Sequence, residues 1–367
     1  HIWNLTSMMD HPIIAKEEDQ DEACYRQFYE EAISLCRQKR FHEVLEKCRY
    51  TSLDDEEEYS IDVIQPEKIE FKQNSYEDGE NSIISFPEFL LLVLDVCTGG
   101  EQPASHYQPD KLIEKFDALK TYFTAGEFYE KMLYYRLLLD YYTIRRDIKD
   151  GQGNYSLILK GPKDDSDKLK QYQSMLYVST EAFYNWLKPY LRKLEQDELH
   201  SCAEMLAFLK KEDNERHSIL PARKDLSYKA SGNIRYWFWR LDYYLWEQRS
   251  TFFNEEEQKI VEHYVFRRNR SIEHLHPQDE SHNEEWEEEA VHSFGNLAMI
   301  SQSFNSQQSN DHIQIKFARI HEQISNKSLQ SIKMFLMCKL ADFNYLNWTM
   351  KLTKEHENEM IEFLERS

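Results

Sequence analysis

The stretch SIEHLHPQDE, residues 271–280, sets Glu273 beside His274, with His276 and Pro277 close behind. Imidazole, with an unperturbed pKa of about 6.5, is suited to take a proton from an attacking water at neutral pH. A carboxylate and a side-chain amide are hard oxygen donors for a cation such as magnesium. Such an ion neutralises a nonbridging phosphate oxygen and holds the leaving oxygen. Residues of the same types recur downstream: His292 and Asn296 in HSFGNLAMIS, Asn305 in FNSQQSN with Asn310 and His312 nearby, then Lys316. Together they point to hydrolysis of a phosphodiester.

These residues need a scaffold that gathers them. The pattern from 260 to 277, IVEHYVFRRNRSIEHLHP, alternates and is rich in β-branched and aromatic residues, which predicts a hairpin. NLAMIS predicts a second short strand, and a helix is expected to open near DHIQIKFARI. A strand ending in an acid–histidine pair, a loop, a strand and a helix is the order that a ββα-metal nuclease needs. Neighbouring strand residues face opposite ways, so Glu273 and His274 can converge only where the strand ends or bulges, and Pro277 favours an end there. His276 shares the strand face of His274 and is read as a neighbour rather than a ligand. His292 is either structural or close to the phosphate. Arg267, Arg268 and Arg270 in FRRNR form a candidate phosphate clamp. EEWEEE, 284–289, reads as a solvated helix face around Trp286 that would repel DNA if it lay in the groove.

The remainder is mainly α. Apolar spacing from Asp21 to Tyr50 predicts two helices broken around RQKRF. The charged run from Ser52 allows short strands at Ile61–Val63 and Ile69–Phe71. SIISFPEFLLLVLDVCTGG predicts a buried helix opened by Ser85, with Pro87 in its first turn, and closed by Gly99 and Gly100. Further helices are expected at PDKLIEKFDALKTYF, AGEFYEKMLYYRLLLDYYTIRRD, KLKQYQSMLYVST, EAFYNWLKPYLRKLEQ, ELHSCAEMLAFLKK and from Asp311 onward. IKDGQGNYSLILKGPKDDSD is the most linker-like stretch. The aromatic run in NIRYWFWRLDYYLWEQR could stack bases, but its helical spacing favours a core helix.

A chain of 367 residues, 41% of them hydrophobic, can bury a sizeable core and divide into domains. A formal net charge of −21 argues against coating nucleic acid by bulk electrostatics, so any nucleic-acid site must be local. Six cysteines without a CxxC pair are expected to be buried, reduced thiols. No stretch approaches the roughly 20 apolar residues of a membrane span, and no signal peptide is evident, so the cytoplasm is expected. The chain begins with histidine, and an excised or incompletely represented N-terminus is expected.

Taken together, SIEHLHPQ, Trp286, HSFGNLAMIS, FNSQQSN, Lys316 and the tail from SIKMFLMCKL through NWTMKLTKEHENEMIEFL resemble the HNH endonuclease domain that ends GmrSD-type modification-dependent restriction enzymes. Upstream, IISFPEFLLLVLDV, DKLIEKF, YYRLLLDYYTIRRD and RYWFWRLDYYLWE look like the helical region preceding that nuclease. The DGQQR motif of the family's N-terminal nucleotide-dependent domain is not in this chain, and DGQG at Asp150–Gly153 is read as a turn. The resemblance therefore implies a helical region over 1–250 and an HNH nuclease domain over 251–367, with any NTP-hydrolysing activity belonging to a domain missing from the chain.

Residue by residue, the resemblance makes His274 the general base and Glu273 a metal ligand, where the family more often has aspartate. It makes Asn296 the asparagine that pins the loop holding the base, and Asn305 the residue that completes the metal site, with Asn310 and His312 as alternatives for that third position. Lys316 would bind phosphate. The implied cofactor is Mg2+ or another divalent cation such as Mn2+, and the implied partner is DNA, foreign or modified. A homo-oligomer is compatible with this reading and a membrane is not required. Two rivals stand beside it: a non-catalytic helical sensor or protein-binding scaffold with a degenerate nuclease, and an RNase of the same fold.

Overall fold

Helix signals in the sequence become helices in the structure, a computed structural model that describes residues 2–14, 21–49, 79–148, 155–163, 166–179, 181–232, 234–267, 271–278, 286–300 and 313–367. The described part is mainly helical, with a three-stranded and a two-stranded sheet. Among the described residues no helix is long and apolar enough to cross a membrane. Of the six cysteines, which are all free thiols, Cys36, Cys48, Cys202 and Cys338 are buried; Cys97 is half-buried and Cys24 exposed.

By packing, the chain forms two units, 1–170 with 183–208, and 171–182 with 209–367. Helix Arg235–Glu247 therefore stands in the second unit, whereas the 250/251 division read from the sequence places it with the helical region.

In chain order the elements begin with α1 (Ile2–Ser7), α2 (Glu22–Arg37), α3 (Phe41–Arg49), β1 (Gly79–Ser82), α4 (Phe86–Cys97), α5 (Leu112–Leu119) and α6 (Ala125–Tyr142). Then come β2 (Arg145–Ile148), β3 (Tyr155–Ile158), α7 (Ser166–Val178), α8 (Phe183–Glu195) and α9 (Cys202–Arg216). The break between α2 and α3 falls where RQKRF predicts it, with Lys39 at a φ of 59°. A capping box between Ser85 and Glu88 opens α4, and Gly99 and Gly100 close it at φ of 104° and 80°, values that glycine adopts without penalty. Buried Arg136 on α6 donates to the carbonyls of Thr6, Met8 and His11 at 2.7, 2.9 and 2.6 Å, which fastens the N-terminal segment.

One expectation is corrected here. The linker-like stretch contributes β3, which pairs antiparallel with β2, and β2 pairs in turn with β1. Gly161 and Pro162, which suggest a linker, follow β3. Asp150–Gly153 and the short strands expected near Ile61–Val63 and Ile69–Phe71 lie outside the described residues.

The second unit continues with α10 (Arg235–Glu247), α11 (Arg249–Phe252), α12 (Glu255–Glu262), β4 (Ser271–His274), α13 (Glu288–Val291) and β5 (Leu297–Ile300). It ends with α14 (Ile313–Ser325), α15 (Ile332–Leu340) and α16 (Met350–Arg366). The aromatic run is α10, and from Tyr236 to Trp246 every residue is buried, so the core reading holds over base stacking. Asp213, fully buried, accepts from Tyr172 at 2.7 Å and Tyr236 at 2.6 Å and ties the 171–182 segment into this unit. Asp242 on α10 accepts from Lys333 N at 2.8 Å and Ser331 Oγ at 3.3 Å at the start of α15.

A second correction concerns the alternating stretch before the histidines. Residues Ile260 and Val261 belong to α12, opened by a capping box between Asn254 and Glu257, and no strand precedes Ser271 among the described residues there. β4 pairs instead with β5, with Glu273 opposite Ala298 and His274 opposite Leu297.

Candidate active site

β5 is buried along its length, and the turn feeding it is pressed onto α16. A Cβ on Gly295 would meet Thr353 O at 2.3 Å and Glu357 Cβ at 2.9 Å, so the close approach requires glycine. From α15, the buried ammonium of Lys333 donates to Phe294 O at 2.8 Å and Leu297 O at 2.6 Å, on either side of Asn296.

Asn296, fully buried, uses its whole amide. Its Oδ1 accepts from His276 N at 2.8 Å and Trp348 Nε1 at 3.2 Å, and its Nδ2 donates to His276 O at 3.0 Å and Val291 O at 2.8 Å. It is a staple between the end of α13 and the chain just past β4.

β4 stops at His274, three residues ahead of Pro277, as the proline suggests. Glu273 and His274 are both buried, yet they hold different partners. Glu273 is ion-paired with Lys316 on α14, whose ammonium also donates to His274 O at 2.5 Å. The Lys316 expected to bind phosphate is thus buried and engaged with the acid, because a buried carboxylate needs a compensating charge.

The His274 ring sits among three polar neighbours. Its Nε2 lies 3.1 Å from His292 Nδ1, and the Gln278 amide nitrogen lies 2.9 Å from its Nδ1 and 3.3 Å from its Nε2. The Tyr228 ring meets His274 edge-on with centroids 4.6 Å apart, and lies within 15° of parallel to His292 at 5.7 Å. Burial, with the nearby His292 and Lys316, pushes the His274 pKa down to about 3, and burial and Lys229 also lower that of His292. Both imidazoles are therefore neutral at physiological pH. A single amide nitrogen this close to both ring nitrogens lies over the ring rather than along either lone pair, so Gln278 does not set the tautomer, and only Nε2 is directed at His292 Nδ1.

His276 stacks face to face on Trp286, with centroids 3.9 Å apart and planes 3° from parallel. It is a packing neighbour, and Trp286 is buried beneath it rather than standing on a solvated face. Arg267 is exposed. Arg268, Arg270, Asn305, Asn310 and His312 lie outside the described residues. Among the described residues no three His, Cys, Asp or Glu side chains form a group that could hold a metal ion.

Four participants escape the sequence reading: Tyr228, Gln278, Lys333 and Trp348. Gln278, Lys333 and Trp348 fall inside the stretches that carry the family resemblance. Nothing local in the sequence marks Tyr228.

Comparison with known families matches residues 213–363 to the GmrSD restriction endonucleases, C-terminal domain. No curated protein and no solved structure matches the chain. The matched span takes in β4, β5 and every described residue around His274, so this part of the chain is similar to the C-terminal domain of the GmrSD restriction endonucleases.

Proposed function

We propose that the chain is the nuclease portion of a restriction protein acting on foreign or modified DNA, and that its C-terminal domain is an HNH-type, ββα-metal endonuclease. The observation that carries this reading is the buried His274 ring, held through Nε2 at 3.1 Å from His292 Nδ1. With Nε2 engaged, Nδ1 is the nitrogen left for water, beside Gln278, an amide that can give way to it. Nδ1 is then the atom that takes the proton of the attacking water, while His292 keeps the ring oriented. Asn296 holds the backbone at His276 and so fixes where β4 ends.

The described residues alone do not fit a divalent cation. The Glu273 carboxylate is engaged by Lys316, and Asn305, the other expected ligand, is not among them. Magnesium or manganese on Glu273 and Asn305 is therefore carried by the family resemblance, and no step above passes through it. Arg267, with Arg268 and Arg270, is proposed to hold the substrate backbone beside the site.

Two observations favour the rival scaffold reading: both ring nitrogens of His274 and the Glu273 carboxylate already have partners, and burial pushes the His274 pKa down to about 3, below what suits a general base near neutral pH. Parallel digestion of single- and double-stranded DNA and RNA, with Mg2+, Mn2+ or EDTA, separates the readings. Cleavage of DNA that EDTA abolishes supports the proposal. Cleavage of RNA alone selects the RNase, and no cleavage of any substrate selects the scaffold.

A further inference from the structure

Between Arg223 and Arg235 the sequence carries four cations, Arg223, Lys224, Lys229 and Arg235, against one acid, Asp225, in a chain of net charge −21. The structure fastens this segment across the candidate active site. Ser227 Oγ and Tyr228 N both donate to His292 O, at 3.1 and 3.0 Å. At the other end the Arg223 guanidinium donates to Asn358 Oδ1 and lies 3.9 Å from the Glu357 carboxylate on α16. Between these anchors Lys224 is exposed. Tyr228 leans on both imidazoles, yet 43% of its surface is open to solvent. Lys229 is exposed and paired with Glu288, itself exposed.

Exposed pairs of this kind are weak and give way to a stronger anion. In an acidic chain, phosphate contacts must come from a local set of cations, and a half-open aromatic ring offers a face that any nucleotide can meet. Lys316, whose ammonium lies against His274 O, is buried and engaged with Glu273. We propose that residues 223–229 are a nucleic-acid strap. In it Lys224 and Lys229 take backbone phosphates on either side of the reacting one, and Tyr228 is the ring against which the strand is laid over the His274–His292 pair. The proposal rests on the nuclease reading of the same site.

The test uses the full chain carrying His274→Ala, so that substrate stays intact, and measures binding of a labelled DNA duplex by fluorescence anisotropy across a salt series. Lys224→Gln with Lys229→Gln is expected to reduce the slope of log Kd against log salt by about 2, close to 0.9 per lost phosphate contact. Tyr228→Leu is expected to weaken binding roughly 5- to 100-fold at unchanged slope, with Tyr228→Phe close to the parent, as base or sugar stacking requires. A 2-aminopurine in the duplex should be quenched by the parent and Tyr228→Phe proteins and not by Tyr228→Leu. Unchanged slope in the double lysine variant, or unchanged affinity and quenching in Tyr228→Leu, overturns the strap. If the chain with His274 intact fails to cleave while these binding effects appear, the nuclease reading falls and the strap stands. Binding of none of the duplex, or binding indifferent to all three residues, overturns the strap whatever the cleavage result.

Discussion

Replacing Asn296 by alanine removes four hydrogen bonds at once from a side chain with no exposed surface. A typical intramolecular hydrogen bond contributes a net ~1 kcal/mol, and a buried donor left without an acceptor costs about 1–3 kcal/mol. Two donors, His276 N–H and Trp348 Nε1–H, lose the acceptor they share, while the two carbonyls lose only one donor each. The expected destabilisation is about 3–5 kcal/mol, a large part of the ~5–15 kcal/mol that a domain commonly has. Because the chain comprises two packing units, a single global unfolding energy is not the best readout. Native-state amide exchange at His276 is, since its N–H is bonded to Asn296 directly. Exchange at His276 should accelerate by roughly two to three orders of magnitude, at 1.4 kcal/mol per tenfold, with a parallel loss of nucleolytic rate. Asn296→Asp should do nearly as much harm, because an oxygen then faces the carbonyls of His276 and Val291. Unchanged His276 exchange in Asn296→Ala would refute the staple.

Three further outcomes follow from the second unit. His217 bridges Asp213 at 3.2 Å and Glu181 at 3.1 Å, and although burial alone would lower its pKa, these acids raise it to about 9. Its stabilising contribution is therefore complete below about pH 6.5 and is lost as pH rises through about 9. The loss is up to ~3 kcal/mol, and in urea titrations at several pH values His217→Gln should flatten that dependence. Gly295→Ala drives a Cβ to 2.3 Å from Thr353 O and should cost about 1–3 kcal/mol, read as a fall in Tm. Trp348→Phe removes one donor to Asn296 and keeps most of the ring, so it should cost ~1 kcal/mol and raise His276 exchange far less than Asn296→Ala.

Much of the helical fold is legible because its signals are local. The Ser85–Glu88 box, the closing glycines of α4, and the periodicity of α2, α3 and α10 are set by residues a turn or two apart. The strands are less legible. Alternation before Ser271 misleads because the capping box at Asn254 carries α12 through Ile260 and Val261, and β4 finds its partner only at β5. The linker-like glycines and Pro162 hide β3 for the same reason, since its pairing with β2 is a tertiary fact. Within the site, Glu273, His274 and Asn296 stand out by type and order. The burial of Lys316 against Glu273, and the placing of Tyr228 and Lys333, depend on α14, on the strap before α10 and on α15. Sequence spacing does not encode those contacts.

The central claim is that His274 Nδ1 accepts the proton of the attacking water in a DNA-cleaving site. The most direct test is single-turnover cleavage of a labelled DNA duplex by the full chain and by His274→Ala, with Mg2+ supplied and with EDTA. A fall of about 10²- to 10⁴-fold in the cleavage rate of the variant, at DNA affinity close to the parent's, is the predicted result. Equal rates in the two proteins would contradict the account.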